Sequence, residues 1–91
     1  MNYVIRYHDL VVRDDIPKLS DAWAVRIQTA IEEKLTTRPE IFGKPLRSSL
    51  KNYRKLRVGD YRVIFRIDKA EVKIFAIQHR SVVYQNAEQR L

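Results

Sequence analysis

The apolar positions of this chain follow a helical period in its first half and a strand-like pattern in its second half. Residues 3–7 are rich in β-branched and aromatic side chains, which favours a strand. Residues 9–16 fit a short helix that is interrupted by Pro17. Ser20 can cap a second helix over residues 21–36. The apolar side chains of that helix recur at helical spacing and predict one buried stripe: Trp23, Ile27, Ala30, Ile31 and Leu35.

The second half of the chain predicts three strands. Arg38 precedes Pro39, and the residue before a proline avoids the α region, so the helix should end there. A loop is expected over residues 39–50. The strand-like runs that follow are residues 51–58, 61–68 and 71–78, and residues 81–91 favour a short terminal helix.

This order of elements predicts an α+β fold. The order is β-α-α-β-β-β followed by a short C-terminal helix. It is typical of a small antiparallel sheet with two helices packed on one face. A chain of 91 residues has room for one hydrophobic core, so we expect a single domain over residues 1–91.

The pair Gly59-Asp60 predicts the turn of a β-hairpin. Glycine at the first central position suits a type II′ turn, which sets Val58 opposite Tyr61 and Arg57 opposite Arg62. Because side chains alternate, the hairpin should have two different faces. The apolar face consists of Leu56, Val58, Tyr61, Val63 and Phe65, with Arg54 as its only charged member. The other face consists of Tyr53, Lys55, Arg57, Arg62, Ile64 and Arg66.

The positive charge of the chain is concentrated around this hairpin. Residues 43–66 hold eight basic side chains and one acidic one, a surplus equal to the net charge of +7 of the whole chain. Such a field attracts a polyanion, and nucleic acid is the first candidate. Opposed cations such as Arg57 and Arg62 cost up to about 1 kcal/mol. Either a bound phosphate offsets this cost, or the face is simply a solvated one whose side chains spread into water.

The composition narrows the chemistry that is open to this chain. There is no cysteine, and His8 and His79 lie far apart without carboxylates at metal-ligand spacing, so we expect neither a metal nor a cofactor. No apolar run is long enough to span a bilayer and the N-terminus lacks a signal-peptide pattern, which favours the cytoplasm and no membrane partner. Neighbouring arginines favour the neutral amine of Lys55, which makes it a candidate base.

The run YRKLRVGDYRVIF at residues 53–65 resembles the RelE/ParE superfamily of bacterial and archaeal toxins. The similarity extends to IPKL at residues 16–19, FGKPL at 42–46 and HRSVVY at 79–84, and the last of these favours the RelE-type messenger-RNA interferases. The resemblance implies a ribosome-dependent endoribonuclease that cuts messenger RNA in the decoding site without a metal. It also implies 2′-hydroxyl attack to a 2′,3′-cyclic phosphate, and inhibition by a cognate RelB-like antitoxin.

The resemblance also assigns roles to individual residues. Lys55 matches the family's strand lysine, a candidate base, and Arg57 and Arg62 match the arginines that hold the scissile phosphate. Arg80 is a candidate acid or stabiliser for the leaving 5′-oxygen, and Tyr84 stacks on a base or orients the 2′-hydroxyl. Tyr53 departs from the best-known pattern, which has a lysine there, and the loop around Arg80 is shorter than in some members. The remaining predicted RNA contacts are Lys44, Arg47, Lys51, Tyr53, Arg66 and His79, and His79 is also an alternative acid or base.

Two other functions remain open at this point. A ParE-like toxin has the same fold and the same Gly-x-Tyr-Arg turn but inhibits DNA gyrase by binding, without nuclease activity. The Lys-Leu-Arg set at residues 55–57 and the absence of a His-Gly-Arg-Arg-Asp run argue against it. A plain RNA-binding module would use the same cations only to contact phosphates.

Overall fold

The computed structural model describes residues 2–91, and Met1, which the predicted domain includes, lies outside the described residues. The strands are β1 (Val4–Tyr7), β2 (Lys44–Pro45), β3 (Arg54–Val58), β4 (Tyr61–Asp68) and β5 (Glu71–His79). The α-helices are α1 (Asp21–Ala30), α2 (Pro39–Phe42) and α3 (Val83–Gln89). Short π-helical turns lie at Val11–Asp15 and Ile31–Leu35, and 3₁₀ turns lie at Ile16–Lys18 and Ser48–Leu50. None of the helices between residues 2 and 91 has the length and apolar character needed to cross a bilayer.

The five strands form one sheet in the order β1-β5-β4-β3-β2. The predicted α+β class is confirmed, but the sheet is mixed rather than purely antiparallel, because β1 pairs in parallel with β5. The helices between β1 and the later strands supply the long connection that parallel pairing needs. The predicted loop at residues 39–50 contains α2 and the short strand β2, which pairs with β3 and sets Lys44 opposite Lys55.

The central hairpin has the predicted register. Val58 lies opposite Tyr61 and Arg57 opposite Arg62. Gly59 has a φ of 58°, which is the left-handed region that a type II′ turn requires at this position. A Cβ atom on Gly59 would lie 2.6 Å from Cη2 of Trp23, so α1 packs directly on the turn. Arg54, the charge on the apolar face, donates to the backbone oxygens of Glu40 and Gly43, which satisfies carbonyls at the end of α2.

The predicted stripe of α1 and its π-helical extension forms the core on one face of the sheet. Ile27, Ile31 and Leu35 are at most 2% exposed, and Trp23 and Ala30 pack at the edge of this core. The strand residues beneath them include Leu56, Val58, Val63, Phe65, Val72, Ile74 and Ile77. The Ser20 side chain accepts a hydrogen bond from the backbone N–H of Trp23, as predicted for the N-cap.

The opposite face is partly covered by α3. Val83 and Ala87 of α3 are fully buried against a smaller cluster that includes Ile64, Phe75 and Ala76. Ile64 belongs to the predicted cationic face, and its apolar side chain is buried there because α3 packs over it. Both faces of the sheet therefore carry a hydrophobic core. On the face that α3 covers only in part, the cations lie on the uncovered surface.

Candidate functional site

Four predicted cations line one open pocket on the α3 face of the sheet. We call the group Phe42, Lys44, Lys55, Arg57 and Arg62 the cationic pocket, which has a volume of about 210 Å³. Its cations are arranged as two cross-strand pairs, Lys44 opposite Lys55 and Arg57 opposite Arg62. Sequence reasoning placed Lys44 on a loop, and the strand β2 brings it directly beside the candidate base.

Among the residues that the structure describes, the charges of the cationic pocket have no counter-ions. Every ion pair within residues 2–91 is formed by a cation that is not part of the pocket, namely Arg6, Arg13, Lys73, Arg80 or Arg90. Four close cations without carboxylates create a field that favours an external anion. A phosphate group matches this field in charge and in hydrogen-bond geometry.

Arg62 is held in place by the hairpin turn itself. Its Nη1 atom donates to the backbone oxygens of Gly59 at 2.8 Å and Tyr61 at 2.9 Å. Within the described chain, Nε and Nη2 make no hydrogen bond, so they remain available to a phosphate oxygen. The turn therefore orients Arg62 before any ligand arrives, which lowers the entropic cost of binding.

Tyr84 approaches the pocket from α3. The Lys55 Nζ atom lies 5.6 Å from the centre of the Tyr84 ring. Tyr84 also packs against the small core beneath α3, so its position depends on where that helix lies. The structure thus brings together four of the five predicted catalytic residues: Lys55, Arg57, Arg62 and Tyr84.

Arg80, the fifth, lies at the turn and not in the pocket. Its backbone N–H donates to the Asp60 carbonyl at 2.9 Å, and its Nε atom lies 4.0 Å from Asp60 Oδ1. The side chain is exposed and makes no closer ion pair within residues 2–91. Arg80 therefore lies beside the turn of the hairpin, and within residues 2–91 it makes no hydrogen bond to the other predicted catalytic residues.

His79 lies on the opposite face of the sheet from the pocket. It pairs with Tyr61, and its ring meets the Tyr61 ring edge-on at 5.8 Å. Because Gln78 is the residue opposite Arg62, the next residue along β5 points toward the α1 face. The His79 Nδ1 atom accepts the backbone N–H of Ser81. The structure does not bring His79 together with Lys55, Arg57 or Arg62.

The other predicted RNA contacts lie outside the pocket. The Arg66 guanidinium lies 6.0 Å from the ring centre of Tyr53, and both line a separate depression together with Arg6 and Lys73. Arg47 and Lys51 are exposed on either side of the 3₁₀ turn Ser48–Leu50. No cluster of three or more metal-ligating side chains occurs among residues 2–91.

A polar network that sequence reasoning missed ties α3 to the sheet. Asp15 forms a two-pronged ion pair with Arg90, at 2.6 and 2.8 Å. Asp15 also accepts the backbone N–H of Ile77 and the side-chain amide of Gln78, and Gln78 in turn accepts from Asn86. The pair joins residues that are 75 positions apart, so no local pattern in the sequence indicates it.

Comparison with known proteins identifies the family. The family model described as the ParE toxin of the type II toxin–antitoxin system parDE matches residues 5–84. The chain is 34% identical to Toxin RelE of Mycobacterium tuberculosis over 73 residues, which are 78% of this chain and 75% of that protein.

Solved structures of similar toxins have the same fold. The structure of the toxin–antitoxin complex RelBE2 from M. tuberculosis matches with a TM-score of 0.81 at 30% identity, covering 88% of this chain and 100% of that chain. A double mutant of the E. coli toxin RelE in the free state matches with a TM-score of 0.75 at 20% identity, covering 100% and 99% of the two chains. The chain therefore belongs to the RelE/ParE superfamily of toxins from type II toxin–antitoxin systems.

Proposed function

We propose that this toxin is a metal-independent endoribonuclease that cleaves messenger RNA in the decoding site of the cytoplasmic ribosome. The observation that carries this proposal is the cationic pocket, in which four cations that have no carboxylate partner within residues 2–91 surround a space of about 210 Å³. A candidate base, Lys55, lies in the same pocket as the arginines Arg57 and Arg62. Without a metal, side-chain cations must stabilise the charge that develops on the phosphate.

The proposed reaction is an internal transfer of the phosphoryl group. The 2′-oxygen attacks the adjacent phosphorus atom while its proton passes to Lys55, which acts as the base. Arg57 and Arg62 neutralise the equatorial oxygens of the phosphorane as the bond to the 5′-oxygen breaks. The 5′-oxygen takes a proton from a water molecule, and the hydroxide that this produces takes back the proton held by Lys55, which regenerates the base. Arg80 is the candidate that stabilises the leaving 5′-oxygen. The products are a 2′,3′-cyclic phosphate and a 5′-hydroxyl, and Tyr84 orients the nucleotide over Lys55.

We also infer that a cognate RelB-like antitoxin neutralises this toxin. The structures of similar toxins include the complex RelBE2 and the YoeB–YefM complex from Staphylococcus aureus, which supports such a partner. An acidic or amphipathic segment of the antitoxin would find its charge complement in the cationic pocket. Its binding there would cover or distort the site that RNA needs.

The test of the proposed cleavage is end-group analysis on ribosome-bound message. Purified toxin is mixed with ribosomes carrying a defined message, and the fragments are mapped by primer extension and analysed for a 2′,3′-cyclic phosphate. We expect cleavage by the wild type, loss of cleavage in the double variant Lys55→Ala/Arg62→Ala, and wild-type cleavage in Lys73→Ala, whose cation pairs with Asp68 outside the pocket. A message with a 2′-deoxynucleotide at the cleavage position should remain intact.

Wild-type cutting by the Lys55→Ala/Arg62→Ala double variant would refute the mechanism. Salt-sensitive RNA binding without any cyclic-phosphate product would instead indicate a plain RNA-binding module.

A ParE-like gyrase inhibitor is the second candidate, because the matching family model is described by the ParE toxin. That function requires no chemistry in the cationic pocket. Gyrase-dependent DNA damage in cells whose messenger RNA stays intact would decide in its favour.

A further inference from the structure

The ion pair between Asp15 and Arg90 joins three separate parts of the fold. Asp15 belongs to the π-helical turn before α1, and Arg90 is the C-cap residue of α3 on the other face of the sheet. Both Arg90 amino groups donate to the Asp15 carboxylate, and Arg90 Nη1 also donates to the Phe75 carbonyl of β5 at 2.9 Å. The side chains are only 1% and 9% exposed, so solvent screens the pair little.

This pair is the main polar anchor of a short helix. α3 has seven residues, too few for a helix to be stable without tertiary contacts. Its buried apolar side chains are Val83 and the small Ala87. The Asp15–Arg90 pair and the Asn86–Gln78 hydrogen bond therefore set how α3 lies on the sheet.

The position of α3 controls the position of Tyr84. Tyr84 and Arg90 are six residues apart, or about 9 Å along the helix axis. A tilt or slide of α3 at its C-terminal end therefore moves the Tyr84 ring relative to Lys55, whose Nζ atom lies 5.6 Å from the ring centre. A displacement of about 1 Å at a reacting centre is enough to lower a rate by about 100-fold.

We propose that Asp15 and Arg90 are positioning residues, whose ion pair holds α3 so that Tyr84 stays over Lys55. This inference rests on the proposed RNA cleavage for its consequence, but its geometric part holds for any use of the pocket. Neither residue touches the pocket, so their effect on the reaction passes through α3.

The test uses the conservative variant Arg90→Lys. Lysine keeps the charge but donates from a single nitrogen, so it cannot reproduce the two parallel hydrogen bonds that Nη1 and Nη2 of Arg90 make to the Asp15 carboxylate. We expect the kcat for cleavage on programmed ribosomes to fall by about 10- to 100-fold, with the KM for ribosomes changed by less than about twofold. The matched control is Val72→Ala, a fully buried residue in the core beneath α1, assayed at a temperature where all variants are folded. It should lose thermal stability and keep its kcat.

A second readout does not depend on activity. The chain has five tyrosines, which fluorotyrosine labelling reports separately by ¹⁹F NMR, with Tyr84 assigned through Tyr84→Phe. In Arg90→Lys the Tyr84 resonance should shift or broaden while that of Tyr3 stays unchanged.

The outcomes separate the two proposals. An unchanged Tyr84 resonance, or a kcat loss no larger than that of Val72→Ala, would overturn the positioning role. Absence of cleavage by the wild type, with a shifted Tyr84 resonance in Arg90→Lys, would overturn the proposed function and leave the positioning of Tyr84 standing.

Discussion

Two groups of cations lie on the same face of the sheet, and within residues 2–91 only one of them contains ion pairs. The edge row, which consists of Arg6, Lys73 and Arg66, crosses β1, β5 and β4 side by side. In that row Arg6 pairs with Glu71 at 3.1 Å and Lys73 with Asp68 at 3.0 Å. The cationic pocket has no such partners within residues 2–91.

The difference between the two groups is whether acidic side chains lie close enough to pair with the cations. Like charges on neighbouring strands repel, and acidic partners offset that cost for Arg6 and Lys73 in the edge row. In the pocket the same cost persists between Lys44 and Lys55 and between Arg57 and Arg62. Within residues 2–91 the fold pairs cations of the edge row with carboxylates and leaves the cations of the pocket unpaired, which favours an external anion as their missing partner.

The largest predicted effect is on the rate of RNA cleavage, and it distinguishes the two groups when one cation is removed from each. Arg62→Gln should lower the rate of RNA cleavage by about 10²- to 10³-fold, since it removes a preorganised donor to the phosphorane. Lys73→Gln removes a cation of the edge row that already has a partner, and the rate should change by less than about twofold. Single-turnover cleavage on programmed ribosomes measures both. Equal losses in the two variants would mean that net charge, and not the pocket, drives the reaction.

The second predicted effect is on the free energy of unfolding, and it comes from changing the turn that orients Arg62. Gly59→Ala places a Cβ atom 2.6 Å from Trp23 Cη2 at a φ of 58°, so it combines a clash with left-handed strain. We expect a loss of about 2–4 kcal/mol in the free energy of unfolding, measured by urea denaturation. The control is the turn at the other end of β4, where Lys69 has a φ of 57°. Lys69→Gly should relieve strain and stabilise the protein by about 0.5–1 kcal/mol. A stable Gly59→Ala variant would show that α1 does not constrain the turn.

The sequence was sufficient to predict the register of the hairpin, but not the elements that pack around the hairpin. Gly59-Asp60 determines the register, and the register determines which side chains share a face, so the grouping of Lys55, Arg57 and Arg62 could be predicted. The Ser20 cap and the stripe of α1 are local patterns of the same kind. Strand β2 has two residues and no periodicity, so the approach of Lys44 to Lys55 had no signal.

Long-range pairings were likewise beyond sequence patterns. The parallel pairing of β1 with β5 and the contact of Asp15 with Arg90 depend on how the finished elements pack. The separation of His79 from the pocket follows from the register of β5 against β4, which no turn residue fixes as Gly59 fixes the hairpin. The β4–β5 register contains an irregularity between Ile64 and Phe65, and such a bulge changes which side chains share a face.

The smallest predicted effect is the pH dependence of the stability that the Lys73–Asp68 ion pair of the edge row contributes. The hydrogen bond and charge of Lys73 lower the pKa of the Asp68 carboxyl below its ordinary value. A carboxyl whose pKa is lower in the folded state stabilises the fold above its unfolded pKa, near 3.9, and this contribution disappears as pH falls through the folded value. A double-mutant cycle with Asp68→Asn and Lys73→Gln should therefore give a favourable coupling at pH 7 that vanishes near pH 2.

The matching cycle in the pocket should behave differently. Arg57→Gln and Arg62→Gln remove two guanidinium groups that stay charged throughout this range, so their coupling should be unfavourable at both pH values. Urea denaturation at pH 7 and near pH 2 measures both couplings. A favourable coupling between Arg57 and Arg62 would mean that the pocket is already compensated internally. The contrast between the two cation groups would then lose its meaning, because the pocket would have no need of an external phosphate.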